Sequence, residues 1–186
     1  KRLHEATGGQ WIVAEKILEG DEDLPSNWPV AGTTGYDTAW RLHALLTEPA
    51  GAMPLGAIMQ NIAGDSPSSL PSIIRTAKAQ IIDTSLAAEV RRVGTLIWQI
   101  CQEDIRLRDY TFRSLIDCLR ELVIEFDRYR AYVAALEPVS DATRAVVEDA
   151  AARARTRLDD DIDDAMDVIV ALVLGDEVGS AGLDVS

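Results

Sequence analysis

From Asp37 to Leu174 the apolar residues of this chain return every three or four positions, and that spacing commits most of its length to amphipathic helix. Between Leu70 and Glu103 the positions Ile73, Ile74, Ala77, Ile81, Leu86, Val90, Val93, Ile97 and Ile100 mostly follow it. A break is expected near Asp83-Thr84-Ser85, where short polar side chains compete for the backbone's hydrogen bonds. Ala39, Leu42, Leu45 and Leu46 mark an earlier helix ended by Pro49 and Gly51, and a second runs around Leu55 to Ile62, closing at Gly64 before the Ser66-Pro67-Ser68-Ser69 turn. Thr111 can cap a helix striped by Phe112, Leu115, Leu119, Leu122, Val123 and Phe126. Two more follow, one from Ser140 and one from about Asp160 to Leu174, with Gly175 ending it. Tyr129 to Val133 fits a helix end and a strand equally well. Aromatics are only 5% of the residues, so Leu, Ile, Val and Ala must supply the core.

The first 36 residues read differently. Lys1 to Gln10 looks like the end of a helix already under way, broken at Gly8-Gly9, so the chain reads as a piece of a longer protein. The apolar run Trp11-Ile12-Val13-Ala14 resembles a buried parallel strand and stops on Glu15, where α/β barrels place their catalytic groups. A loop with Gly20, Pro25, Ser26, Asn27 and Pro29 follows, with acids at Glu19, Asp21, Glu22 and Asp23. The fold expected is mainly α: a short barrel-derived strand and loop over 1–36, a helical bundle-like subdomain over 37–174, and a flexible tail over 175–186.

Thirty-one acidic residues against 18 basic ones give a net charge of −13, which repels nucleic acid and anionic lipid. No apolar run reaches the roughly 20 residues that cross a bilayer. Cys101 and Cys118 lie in apolar helical contexts without metal-ligand spacing, so they read as buried free thiols of a reducing, cytoplasmic compartment.

Several patterns invite a site and mostly fail to specify one. Gly32-Thr33-Thr34-Gly35 has the glycines of a phosphate loop without its Lys-Ser/Thr pair or a third dinucleotide glycine, so a tight turn near a cleft is the better reading. Asp37 then serves as helix N-cap, or the turn is functional, with Tyr36 as a stacking platform and Asp37 as a ligand contact. His4 and His43 lack metal-ligand partners, and the acids Asp159 to Asp167 lack the glycine and twelfth-position Glu of a calcium loop, so no metal and no cofactor are expected. Trp28 and Trp40 could stack on a sugar ring; Trp98 reads as core.

Taken together, Leu3-His4, Glu15-Lys16-Ile17-Leu18, Leu24-Pro25 and the unbroken run from Trp28-Pro29 through Gly32-Thr33-Thr34-Gly35-Tyr36-Asp37 resemble the maltooligosyl trehalose synthases, a glucan 1-α-glucosylmutase family of the α-amylase-like superfamily. Arg106 to Thr111 and Phe126 to Val133 continue the likeness more weakly. Ala14, where a β-branched residue is expected, and the polar pair Asp127-Arg128 depart from it.

The resemblance implies a retaining mechanism, in which one carboxylate attacks the anomeric carbon and a carboxylic acid about 5–5.5 Å away protonates the leaving oxygen. Glu15 matches the acid/base, with Lys16, Thr33, Thr34, Tyr36 and Asp37 as candidate contacts to a maltooligosaccharide. The nucleophile and a third acid fall outside the chain, so the isolated piece is expected to be inactive. Such an acid must keep its proton near neutral pH, which calls for burial or a neighbouring negative charge. Lys16, next in an extended chain, faces the other way and need not interact with it. Two other readings remain: another α-amylase-like glucan hydrolase, and a self-standing helical interaction module in which Glu15 is incidental. Unpaired strand edges would allow the piece to dimerise.

Overall fold

The computed structural model describes residues 2–19, 22–63, 69–134, 137–159 and 162–179. The chain forms two compact units, 1–67 and 68–186. As the periodicity requires, helices dominate both, and the described residues contain two short strands.

In the first unit, α1 (Arg2–Ala6) ends at Gly8 and Gly9, whose amides return to the Glu5 and His4 carbonyls. β1 (Val13–Ala14) is the expected strand, shorter than its apolar run. It pairs in parallel with β2 (Gly32–Thr33), Val13 beside Gly32 and Ala14 beside Thr33. Ala31 N donates to the Ile12 carbonyl at 2.7 Å and Thr34 N to the Ala14 carbonyl at 3.0 Å, which extends the ladder at both ends. α2 (Tyr36–Leu46) follows, then a 3-10 turn at Pro49–Gly51 and α3 (Ala52–Ala63), a helix without a charged residue.

Asp37 is not the cap of α2. Gly35 occupies that position at φ +107°, a left-handed conformation that favours glycine, and Asp37 lies in the first turn with its carboxylate bound elsewhere. Gly64 and the turn over 66–68 lie outside the described residues.

The second unit holds α4 (Leu70–Asp83), α5 (Ala87–Glu103), α6 (Phe112–Glu125), α7 (Asp141–Arg155) and α8 (Asp163–Leu174). The break expected near Asp83-Thr84-Ser85 separates α4 from α5. Hydroxyl caps start three of the helices: Ser69, Thr111 and Ser140 accept from the amides of Ser72, Ser114 and Thr143. Gly175, at φ +73°, closes α8.

α6 is the hub, packed against α4, α5, α7 and α8. Leu115, Cys118, Leu119 and Leu122 pack with Cys101 of α5, Ala150 and Ala154 of α7, and Met166 and Ile169 of α8. At Gly94 an added Cβ would stand 2.2 Å from Ile116 Cδ1, so glycine is what lets α5 approach α6 there.

Charge secures the rim of this core. Arg75 of α4 reaches Glu121 and Glu125 of α6, and Arg120 of α6 holds Asp83 through two bonds of 2.7 Å. Both cysteines are free and fully buried. Burial pushes the Cys118 thiol up to about 11, with Asp117 adding to it.

Two expectations fail here. Trp98 is 36% exposed rather than core, because the buried face of α5 is the stripe of Gly94, Ile97 and Cys101. Tyr129 to Val133 is neither helix nor strand. Just before it, the Lys78 ammonium donates to the Ile124 carbonyl in the last turn of α6 and to the Phe126 carbonyl that follows the helix.

Candidate functional site

The parallel register sets the geometry of the first unit. Both strands run the same way, so the residues that follow them, Glu15 after β1 and Thr34 after β2, emerge at the same carboxyl edge, tied by the Thr34 N to Ala14 O bond. Carboxyl edges of parallel strands are where α/β proteins gather ligand-binding groups, because the loops there converge. Glu15 is exposed at this edge and Lys16, the next residue, is buried.

Lys16 is held from within the loop. Its ammonium meets Glu22 Oε1 at 2.7 Å, with only 5% of the lysine side chain exposed. The other Glu22 oxygen accepts from the Glu19 amide at 3.2 Å. Glu22 thus folds the acidic loop onto the lysine. The sequence displayed Glu22 only as one of a cluster of acids.

Thr33, Asp37 and Arg41 form a second polar group at the start of α2. The Thr33 hydroxyl donates to Asp37 Oδ1 and also accepts from the Gly35 amide at 3.1 Å, closing the Gly-Thr-Thr-Gly turn. Arg41 donates to the other Asp37 oxygen at 3.3 Å. The Thr33 bond, then the Arg41 charge, holds the Asp37 carboxyl below its ordinary range. Arg41 was missed in the sequence, although its place four residues after Asp37 is the spacing of a helical ion pair.

Beside this group lies a cleft of about 470 Å³, walled by Ile17 and Leu18 on one side and by Tyr36, Ala39, Trp40 and His43 of α2 on the other. Tyr36, Trp40 and His43 fall on one helix face at steps of four and three. The structure therefore brings Glu15 and Thr34 together at the strand ends, joins Thr33 to Asp37, sets Tyr36 in the cleft, and turns Lys16 inward.

The acidic block belongs to the second unit. In the acidic block Arg155 pairs with Asp163 and Asp167 across the turn before α8; Asp160 and Asp161 lie outside the described residues. Among the described residues no group of three or more His, Cys, Asp and Glu could hold a metal ion, and no helix is long and apolar enough to cross a membrane.

No protein-family model matches this chain, and no solved structure does. Among curated proteins, two from strains of Mycobacterium tuberculosis, each named "Putative maltooligosyl trehalose synthase", are 38% identical to it over 97 residues. The match covers 52% of this chain and 12% of each relative. Over half of its length, then, the chain is similar to proteins that carry the name of a maltooligosyl trehalose synthase.

Proposed function

We propose that this chain is the acid/base-bearing part of a cytoplasmic enzyme that converts the terminal α-1,4 bond of a maltooligosaccharide into an α,α-1,1 linkage with retention. The observation that carries the reading is Glu15 directly after a parallel strand, level with the Gly-Thr-Thr-Gly turn at the same carboxyl edge. The likeness to the curated relatives supports it, and the two unpaired buried thiols suit a reducing compartment.

In the first half of the reaction a carboxylate from outside this chain attacks the anomeric carbon, and Glu15 gives its proton to the departing glycosidic oxygen. In the second half Glu15 takes a proton from the anomeric hydroxyl at the released reducing end, whose oxygen displaces the carboxylate in place of water. Thr33, Thr34, Tyr36 and Asp37 line the sugar-contacting rim, while Lys16 is turned inward onto Glu22 and supports the loop behind it.

Incubation of the full-length protein carrying this chain with maltopentaose, followed by NMR of the anomeric protons, tests the reading. Loss of reducing-end signals with growth of an α,α-1,1 signal is expected, and the 186-residue chain alone should leave the substrate unchanged. Release of shorter reducing glucans would mark a hydrolase, and an unaltered substrate with the full-length protein would refute the glucan reading.

A further inference from the structure

The cleft beside α2 includes residues that the acid/base reading does not use, Trp40 and His43 among them. Trp40 lines it, half exposed, and the Arg41 guanidinium lies over the indole at 5.1 Å from the ring centroid. Arg41 is itself held by the Asp37 carboxylate, through the 3.3 Å side-chain bond and a second bond of 3.3 Å to the Asp37 carbonyl. Asp37 in turn receives the Thr33 hydroxyl. A continuous relay, Thr33 to Asp37 to Arg41 to Trp40, thus runs from the end of β2 to the cleft.

The lining states the chemistry of the occupant. Among the described residues that wall the cleft none carries a permanent charge, although the chain as a whole is at −13. A neutral ligand fits such a wall better than an ionic one. Two aromatic rings offer flat apolar faces, while the Tyr36 hydroxyl and the His43 imidazole offer hydrogen bonds at their edges. A pyranose ring presents that combination in reverse, with C–H groups on its faces and hydroxyls around its rim. The volume falls within the roughly 300–1,000 Å³ of small-molecule sites. Ile17 stands two residues from Glu15, at most about 7 Å along an extended chain.

We propose that this cleft is a sugar-ring subsite of the same glucan site, with the Trp40 indole as its stacking platform, His43 as a hydroxyl partner, and Asp37 and Arg41 as positioning residues that hold the indole. The inference rests on the glucan reading above and adds where a ring sits.

The test titrates the 186-residue chain with maltopentaose at millimolar concentrations and follows the indole N–H resonances of its four tryptophans by NMR. The Trp40 resonance should move most. Trp40→Ala should weaken binding about tenfold and Trp40→Phe should restore most of it. Asp37→Asn and Arg41→Ala should weaken it less, with a shift of the Trp40 resonance already present in the free protein. Trp98→Phe, on α5, should bind as the unmodified chain does, which separates the Trp40 platform from the loss of any tryptophan. Equal binding by Trp40→Ala, or no shift of any indole resonance in the unmodified chain, would overturn the subsite. The product analysis would still decide the glucan reading by itself.

Discussion

The two units of this chain organise themselves by opposite means. In the second, seven of the 14 residues of α6 are buried, and seven large side chains are less than 2% exposed. In the first, Lys16 is the one described residue that is buried, while Leu46 and Met53 are each 83% exposed and Ile62 76%. Apolar burial is the dominant favourable term in folding, at about 25 cal/mol per Å². The second unit therefore has its own source of stability, and the first has a parallel strand pair, polar turns and one enclosed ion pair. An uncharged helix such as α3 is the kind that proteins bury, and parallel strands are normally covered on both faces. The region that bears the candidate site is the one held by backbone pairing and polar contacts rather than by an apolar core.

The sharpest way to break this comparison is truncation in each unit. Leu115→Ala removes a fully buried side chain at the hub and should cost about 2–5 kcal/mol, read as a fall in the urea midpoint by circular dichroism. Leu46→Ala should change the unfolding free energy by less than about 0.5 kcal/mol. A comparable loss from both would mean that the first unit is packed after all.

A smaller effect comes from the Cys118 thiol. Its folded value lies at about 11 against 9.0 for an ordinary thiol, so the unfolded chain loses this proton first. The contribution is fully present below pH 9 and is lost as pH rises through about 11, roughly 2–3 kcal/mol in all. Cys118→Ala should flatten the decline in stability over that window. An unchanged slope would show that the thiol is not held neutral by the core.

Much of the second unit was legible in its residues, because helix is written locally. Spacings of three and four gave the stripes, and Thr111 and Ser140 announced the starts of α6 and α7. The Tyr129 to Val133 segment was not legible, since the end of α6 that leads into it is held by Lys78, 46 and 48 positions before the Ile124 and Phe126 carbonyls it reaches. In the first unit β1 could be read and β2 could not. A Gly-Thr pair has no strand pattern, and its pairing with Val13-Ala14 is a contact across the whole acidic loop. The cap alternative for Asp37 fails for a related reason: the turn glycine takes that position, and Thr33 and Arg41 occupy the carboxylate. The place of Glu15 after a strand was legible because strand ends are visible locally, whereas the partners of Lys16 and Trp40 needed the fold.

The measurement that tests the central claim most directly is turnover of maltopentaose by the full-length protein with Glu15→Gln. Glutamine keeps the shape and hydrogen bonding of the side chain and cannot deliver a proton, and loss of general acid–base catalysis typically costs about a hundredfold to ten-thousandfold. Glu15 is exposed at the end of β1, so folding should be nearly unaffected. A glucan carrying an activated leaving group needs little protonation, and its first step should be partly spared. A fall of that size, with the activated substrate spared, is the predicted result; turnover of maltopentaose within a fewfold of the unmodified enzyme would contradict it, and Glu15 would not be the acid.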